Sequence, residues 1–179
     1  MAITYHDLYL KTRMALSSAG IEAAQLEARE ILCAAAEKTA EELYRDISLY
    51  TTDAIAEKTE ALQARRLAGE PIAYLLGEWS FCGLPFFVSP AALIPRVDTE
   101  MLAQLAMNRL KEHPGHTRIL DLCAGTGCVG LTAAALLKNT RAVLVDLSDG
   151  ALDLCKRNIR RHKLTGRAVS LKGDALQAP

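Results

Sequence analysis

The stretch "DLCAGTGCVG", residues 121–130, has glycines spaced as in loops that bind a nucleoside-containing cofactor. Gly125, Gly127 and Gly130 form a G-x-G-x-x-G motif directly after an apolar segment. Glycines permit the tight turn and the close approach of a ligand that such a loop needs. An acidic residue, Asp146, follows Gly127 by 19 positions. A carboxylate there can accept hydrogen bonds from both hydroxyl groups of a ribose.

Asp121 distinguishes the two cofactors that fit this pattern, a nicotinamide dinucleotide and S-adenosylmethionine. A diphosphate is anionic and binds the amides of a helix N-terminus, where a nearby carboxylate is unfavourable. S-adenosylmethionine has no phosphate and carries an ammonium and a sulfonium group. Two unit charges about 4 Å apart attract or repel each other by roughly 4 kcal/mol at an effective dielectric constant of about 20. Asp121 therefore favours S-adenosylmethionine over NAD(P), and a fold that binds no ligand remains the third interpretation.

Two further residues bear on this site. Asp174, in "GDA" after the third predicted strand, is a polar residue where an adenine amino group would lie in folds of this kind. Cys123 stands where a methyltransferase loop often has its first glycine. We interpret Cys123 as a small buried residue that is tolerated at this position, with a redox pair between Cys123 and Cys128 as the alternative. The histidines and cysteines have no metal-ligand spacing, so no metal site is expected.

The periodicity around the motif predicts a doubly wound parallel sheet. Strands predicted at 117–122, 141–146 and 167–172 alternate with helices predicted at 127–138 and 149–163. The fold class is therefore α/β. Three strands form half of such a sheet, in the order 3-2-1, and the outer edge of the first strand has no partner within this chain. We expect either a truncated domain or pairing at this edge with another chain, including a second copy.

The N-terminal residues are predicted to be entirely helical. Capping signals at Thr4, at Thr39 with Glu42, and at Thr51 or Thr52 start successive amphipathic helices. The second helix is predicted from about Ile21 to Lys38, and the fourth is predicted to end at Gly69-Glu70-Pro71. Short connections between the helices predict an antiparallel helical bundle.

The amino-acid composition changes at Pro71, after which aromatic residues, glycines and prolines predict a β-hairpin. We therefore predict three parts, which are a helical bundle at 1–70, a β-hairpin linker at 71–97, and a partial Rossmann-like domain at 98–179.

The bulk composition excludes several classes of protein. Lys and Arg together number 21, as do Asp and Glu, so a protein that binds the nucleic-acid backbone through a basic excess is not expected. The five cysteines form no C-x-x-C pair, and neither a signal-like N-terminus nor a long apolar run is present. This combination predicts a cytoplasmic protein with reduced thiols and no membrane association.

One longer segment resembles a specific family. "GEPIAYLLGEWSFCGLPFFVSPAALIPRVDTE", residues 69–100, is similar to the linker of HemK-type release-factor glutamine methyltransferases, and "ILDLCAGTGCVG" and "VLVDLS" follow in the family's order and spacing. The resemblance covers essentially the whole chain. Two departures are Cys123, where a glycine is usual, and Val97, where the family motif has proline.

The resemblance implies a reaction and a set of site residues. The family transfers a methyl group from S-adenosylmethionine to the glutamine side chain of the Gly-Gly-Gln motif in class 1 peptide release factors. The helical domain would help to dock that partner. Asp121 would lie close to the cofactor's ammonium group, Asp146 would hold the ribose, and Arg96 lies in the linker motif. The remaining implied contacts are the methionine-end residues Cys123, Ala124, Gly125, Thr126 and Gly127, and the adenine-border residues Asp174 and Ala175.

The family grips the substrate amide with an Asn-Pro-Pro-Tyr motif, and none of Asn108, Asn139 and Asn158 precedes a proline. No catalytic residue is therefore assigned, and we expect this chain to bind cofactor without turnover. The alternatives are a ribosomal-protein glutamine methyltransferase, a nucleic-acid adenine-N6 methyltransferase, and a non-catalytic binding module. The basic stretch 156–163 is interpreted as a solvated helix face.

Overall fold

A computed structural model describes residues 3–113 and 115–177 of the 179-residue chain. The chain divides into two compact units, with the boundary between Leu76 and Gly77. The predicted boundaries at 70/71 and 97/98 stay predictions, and the hairpin forms part of the second unit. Within the described residues, no helix combines the length and the apolar character needed to cross a membrane.

The first unit is helical, as predicted. Its helices are α1 (Tyr5–Ser18), α2 (Ala24–Ala36), α3 (Ala40–Arg45), α4 (Asp53–Leu67) and α5 (Ile72–Leu76).

The predicted capping residues start three of these helices. The Thr4 hydroxyl accepts a hydrogen bond from the Asp7 N–H, and Thr39 with Glu42 forms a complete capping box. The Thr52 hydroxyl caps α4 and accepts from a backbone N–H of the first turn. Each cap satisfies a backbone donor that a helix start leaves without an intrahelical partner.

Two elements of the first unit differ from the sequence expectation. Helix α2 begins at Ala24, three residues after the predicted start at Ile21, and its N-cap Ala23 makes no side-chain capping bond. Helix α5 was not predicted, because Pro71 was interpreted only as the end of the preceding helix. Proline is also favoured in the first turn of a helix, and α5 starts directly after Pro71.

The second unit begins with a tight hairpin, which confirms the predicted strand pair. Strands β1 (Glu78–Phe81) and β2 (Leu84–Phe87) are antiparallel and are joined by Cys82 and Gly83. Both turn residues have positive φ, at 49° and 74°, as a two-residue type I′ hairpin turn requires. The Cys82 N–H donates to Glu100 Oε1 at 2.7 Å, which ties the turn to the helix that follows.

The remaining elements alternate between helix and strand. They are α6 (Val97–Lys111), β3 (Thr117–Leu122), α7 (Cys128–Leu136), β4 (Thr140–Asp146), α8 (Asp149–Arg161), β5 (Ala168–Lys172) and a 3₁₀ turn at Ala175–Gln177. The three strands are parallel in the order β3-β4-β5, so the predicted α/β fold and strand order are confirmed. In the described sheet, β3 lies at one edge.

One face of this sheet carries the core. Leu144 of β4 is fully buried and packs with Leu131 of α7 and Cys155 of α8. The hairpin joins the same core, where the rings of Phe81 and Phe86 meet edge to face at a centroid distance of 6.1 Å. Exposed apolar side chains mark the opposite face, at Leu120, Leu122, Val169 and Leu171.

Candidate functional site

The predicted acidic residues lie at the carboxyl-terminal end of the parallel strands. Asp121 is the penultimate residue of β3, Asp146 is the last residue of β4, and Asp174 follows β5 by two positions. The carboxyl ends of parallel strands lie together, so these side chains approach the same region. The Gly173 N–H donates to the Asp146 backbone oxygen at 3.1 Å, which joins the ends of β4 and β5.

The glycine loop has an unusual backbone. Cys123, Gly125 and Gly127 all have positive φ, at 58°, 57° and 77°. Glycine adopts this left-handed region at no steric cost, whereas a residue with a Cβ pays about 1–2 kcal/mol. Cys123 is exposed, so the expectation that it is a buried residue was wrong. Cys123 and the buried Cys128 are both free thiols, so the structure shows no disulfide between them. The absence of the usual glycine at position 123 therefore leaves the loop strained.

Gly127 and Gly130 serve the packing of α7 against β4. A Cβ on Gly130 would lie 2.6 Å from Leu144 Cδ2, and one on Gly127 would lie 2.9 Å from Leu144 Cδ1. Separations under 3 Å require the neighbouring atoms to move. The helix can begin this close to the strand because both positions lack side chains.

The Asp146 side chain holds the loop by accepting hydrogen bonds from backbone N–H groups. One carboxylate oxygen, Oδ2, accepts from the Gly125 N–H at 2.8 Å, and Oδ1 accepts from the Ser148 N–H at 3.0 Å. Each carboxylate oxygen has a second lone pair, so a ribose diol can still donate to both. Asp146 is therefore a support of the loop as well as a candidate ligand contact.

Asp121 is a largely buried carboxylate that accepts the Gly130 N–H at 2.9 Å. Burial raises the pKa of Asp121 to about 6, the hydrogen bond from Gly130 opposes this rise, and the charge of Asp146 adds to it. Across the described ranges 3–113 and 115–177, neither Asp121 nor Asp146 forms an ion pair with a lysine or arginine. The site therefore holds two uncompensated carboxylates, which suit a cation and disfavour a phosphate.

The other predicted contacts lie around this pair. Ala124 is buried, and its N–H donates to the Val145 oxygen of β4 at 3.0 Å. Thr126 is also buried. Asp174 and Ala175 are half-buried, and Asp174 Oδ1 accepts the Leu176 N–H at 2.9 Å as the 3₁₀ turn begins.

Sequence reasoning missed two residues of α8 that contact the loop. The buried Asn158 amide donates to the Thr126 oxygen at 2.9 Å, and the Cys155 thiol donates to the Gly125 oxygen at 3.3 Å. Burial raises the pKa of Cys155 to about 12, so the thiol keeps its proton at neutral pH. The available signal was a polar residue, Asn158, three positions after Cys155 on the buried stripe of an amphipathic helix.

Arg96 lies at the start of α6, and two arginines of the basic stretch contact the hairpin. Arg96 is the exposed N-cap of α6, and within the described residues its side chain forms no ion pair. In the basic stretch, the guanidinium groups of Arg157 and Arg161 lie 4.6 and 4.4 Å from the centroid of the Phe87 ring. Arg161 also pairs with Glu78 at 2.6 Å, so part of this stretch holds the hairpin.

Comparison with known proteins matches both units. The PrmC N-terminal domain family matches residues 7–77, and the methyltransferase small domain family matches residues 96–178. A release factor glutamine methyltransferase of Nitratidesulfovibrio vulgaris strain Hildenborough is 35% identical over 176 residues, which is 96% of this chain and 57% of the relative. The Escherichia coli K12 protein of the same name is 47% identical over 107 residues, 60% of this chain and 38% of the relative.

Solved structures give a more distant likeness. The tRNA m1G37 methyltransferase of M. jannaschii is 19% identical, with a TM-score of 0.45 over 57% of this chain and 30% of that one. This likeness is too partial to support a functional argument.

The chain spans a little over half of the N. vulgaris relative, at 57% of its length. The two family matches together cover both structural units, and the relatives that extend across them share one name. The resemblance found in the linker and in the glycine loop is thereby confirmed: the chain joins a PrmC N-terminal domain to a methyltransferase small domain and is similar over both to release factor glutamine methyltransferases.

Proposed function

We propose that the loop between β3 and α7 binds S-adenosylmethionine. The observation that carries this proposal is the pair of carboxylates, Asp121 and Asp146, which flank the loop without a lysine or arginine partner among the described residues. A cation bound there relieves the repulsion between them, whereas a diphosphate adds to it. Methyltransferase family membership supports the same cofactor.

Each predicted site residue receives a role in this proposal. Asp121 faces the ammonium group and Asp146 accepts hydrogen bonds from the ribose hydroxyls. The backbone of residues 123–127, from Cys123 through Ala124, Gly125 and Thr126 to Gly127, surrounds the methionine end. Asp174 and Ala175 border the adenine.

The reaction we propose for the whole protein is methylation of a glutamine side-chain nitrogen in class 1 peptide release factors, in the cytoplasm. The shared name of the relatives supports this substrate. The cofactor supplies the methyl group, and an amide nitrogen is a poor nucleophile because its lone pair is delocalised into the carbonyl. The protein's contribution is therefore chiefly to hold cofactor and amide in line. For the 179-residue chain by itself we propose cofactor binding without turnover.

The first experiment is a calorimetric titration of this chain with S-adenosylmethionine and, separately, with NADH. We expect binding of S-adenosylmethionine alone. Asp146→Ala should lose it, and Asp153→Ala serves as a matched carboxylate control because Asp153 is exposed on α8 and pairs with Lys156. Binding of NADH instead would overturn the electrostatic argument.

Methyl transfer is tested with the longest form of the protein that purifies. The protein and labelled S-adenosylmethionine are incubated with one candidate substrate at a time. The candidates are an intact class 1 release factor, the same release factor with its Gly-Gly-Gln glutamine replaced by alanine, ribosomal proteins, and adenine-containing nucleic acid. Label in the intact release factor only is the expected result. Label in a ribosomal protein or in nucleic acid would assign a different substrate, and cofactor binding without label anywhere would favour a binding module.

A further inference from the structure

Asn158 is a fully buried polar side chain that bridges two separate segments. Its Oδ1 accepts from the Phe87 N–H at 2.8 Å, and its Nδ2 donates to the Phe87 oxygen at 3.1 Å and to the Thr126 oxygen at 2.9 Å. A backbone N–H can only donate and a backbone carbonyl can only accept, so these partners fix the orientation of the amide. One side chain of α8 therefore joins the end of β2 to the glycine loop.

The neighbouring turn of α8 supplies a second contact to the same loop. Cys155 lies three residues before Asn158, on the same face of the helix, and its thiol donates to the Gly125 oxygen. Side chains of α8 thus donate hydrogen bonds to two consecutive carbonyl groups of the loop, those of Gly125 and Thr126. On the other side, the Gly125 N–H is held by Asp146.

The loop needs such support because of its backbone. Positive φ recurs at Cys123, Gly125 and Gly127, and Cys123 has a Cβ that disfavours this region. Strained backbone persists only where the surrounding structure over-determines it. The carbonyl contacts from α8 hold Gly125 and Thr126, two and three residues after the strained Cys123.

We propose that Asn158, assisted by Cys155, is a positioning residue for the cofactor loop. It fixes the carbonyl groups of Gly125 and Thr126 and locks the end of β2 to them, so that the loop is preorganised before the ligand arrives. This inference rests on the proposed cofactor site, and it assigns Asn158 no contact with the ligand.

The test compares four variants of the chain in a titration with S-adenosylmethionine. Asn158→Asp keeps an acceptor for the Phe87 N–H and removes both donors, and we expect affinity to fall by about tenfold or more. Cys155→Ala should weaken binding by a few-fold, and Cys155→Ser, which keeps a donor, should recover most of that loss. Leu164→Ala is the matched control, because it removes buried core volume without removing a side-chain hydrogen bond to the loop.

A second readout needs no ligand. Amide hydrogen exchange should speed up in peptides covering 121–130 in Asn158→Asp beyond the change in peptides covering β4. Leu164→Ala should show no such local excess. Trp79, the sole tryptophan of the chain, lies in β1 and reports by fluorescence whether the second unit of each variant is folded.

The outcomes separate the two proposals. Affinities of Asn158→Asp and Cys155→Ala equal to that of Leu164→Ala would overturn the positioning role. If Asn158→Asp does not fold, the positioning role is tested by comparing Cys155→Ala with Cys155→Ser. The role predicts tighter binding by Cys155→Ser, and equal affinities would overturn it. If the unmodified chain binds no S-adenosylmethionine, the proposed cofactor site fails for this chain, while the hydrogen exchange comparison still confirms or refutes the positioning of the loop.

Discussion

Replacing Asp121 with asparagine should stabilise the free protein and abolish its cofactor binding. The carboxylate is largely buried, and its pKa is raised from the ordinary 3.8 to about 6. Asparagine keeps an oxygen that can accept the Gly130 N–H and carries no charge. The variant therefore removes the cost of a buried charge without removing the hydrogen bond.

The magnitude follows from proton linkage. A carboxyl group with a higher pKa in the folded state than in the unfolded state holds its proton more tightly when folded. The stability that this provides is complete below about pH 4 and is lost as the pH rises through about 6. The full shift corresponds to about 3 kcal/mol, and partial solvation of the site reduces the expected gain of Asp121→Asn to about 1–3 kcal/mol above pH 7.

The assay is urea unfolding followed by Trp79 fluorescence at pH 4.5, 6 and 8. The difference in free energy of unfolding between Asp121→Asn and the parent chain should be smallest at the lowest pH and largest at the highest. Asp153→Asn, on the exposed side of α8, is the control and should change stability little at any of these pH values. A variant that is less stable than the parent at pH 8, or a gain that is independent of pH, would refute the assignment of the cost to a buried charge.

Four further predictions concern the same site and the helical unit. The affinity for S-adenosylmethionine should fall about tenfold between pH 7 and pH 5, because protonation of Asp121 removes the charge that faces the cation; a flat profile in calorimetry would contradict this. Cys123→Gly should raise the free energy of unfolding by about 0.5–1 kcal/mol by relieving the positive φ, whereas Gly130→Ala should lower it by about 1–3 kcal/mol because its Cβ would lie 2.6 Å from a Leu144 methyl group; urea unfolding measures both. Glu27→Gln should destabilise the helical unit by about 1–3 kcal/mol, measured by circular dichroism, because it disrupts a nearly buried ion pair with Arg66 at 2.6 Å.

Much of the fold could be predicted because its signals are local. The strand Thr117–Leu122 was predicted with its observed bounds, since an apolar stretch is followed directly by the glycine motif. The capping box of Thr39 and Glu42 could likewise be predicted from the sequence, because both residues of the interaction lie within one helical turn. Helix α5 was missed because Pro71 can end one helix and precede another, and its local sequence does not distinguish these roles.

The support of the site was not predictable in the same way. The partners of Asn158 lie 71 residues away at Phe87 and 32 residues away at Thr126. A polar residue on a buried helical stripe indicates that a partner exists, but only the tertiary fold identifies it. The raised pKa of Asp121 also depends on burial by distant elements, whereas the sign of its charge was available from the sequence and was enough to favour a cationic ligand.

The two functions of Asp146 determine how its variants must be interpreted. Its carboxylate already accepts the Gly125 and Ser148 N–H groups, so Asp146→Ala removes a support of the loop together with the proposed ribose contact. Loss of binding in that variant therefore has two explanations. Asn158→Asp disturbs the loop without touching the ligand in our proposal, so its affinity loss measures the share that comes from loop geometry. Any additional loss in Asp146→Ala is then the share that belongs to the direct interactions of this carboxylate, its charge and the proposed ribose contact.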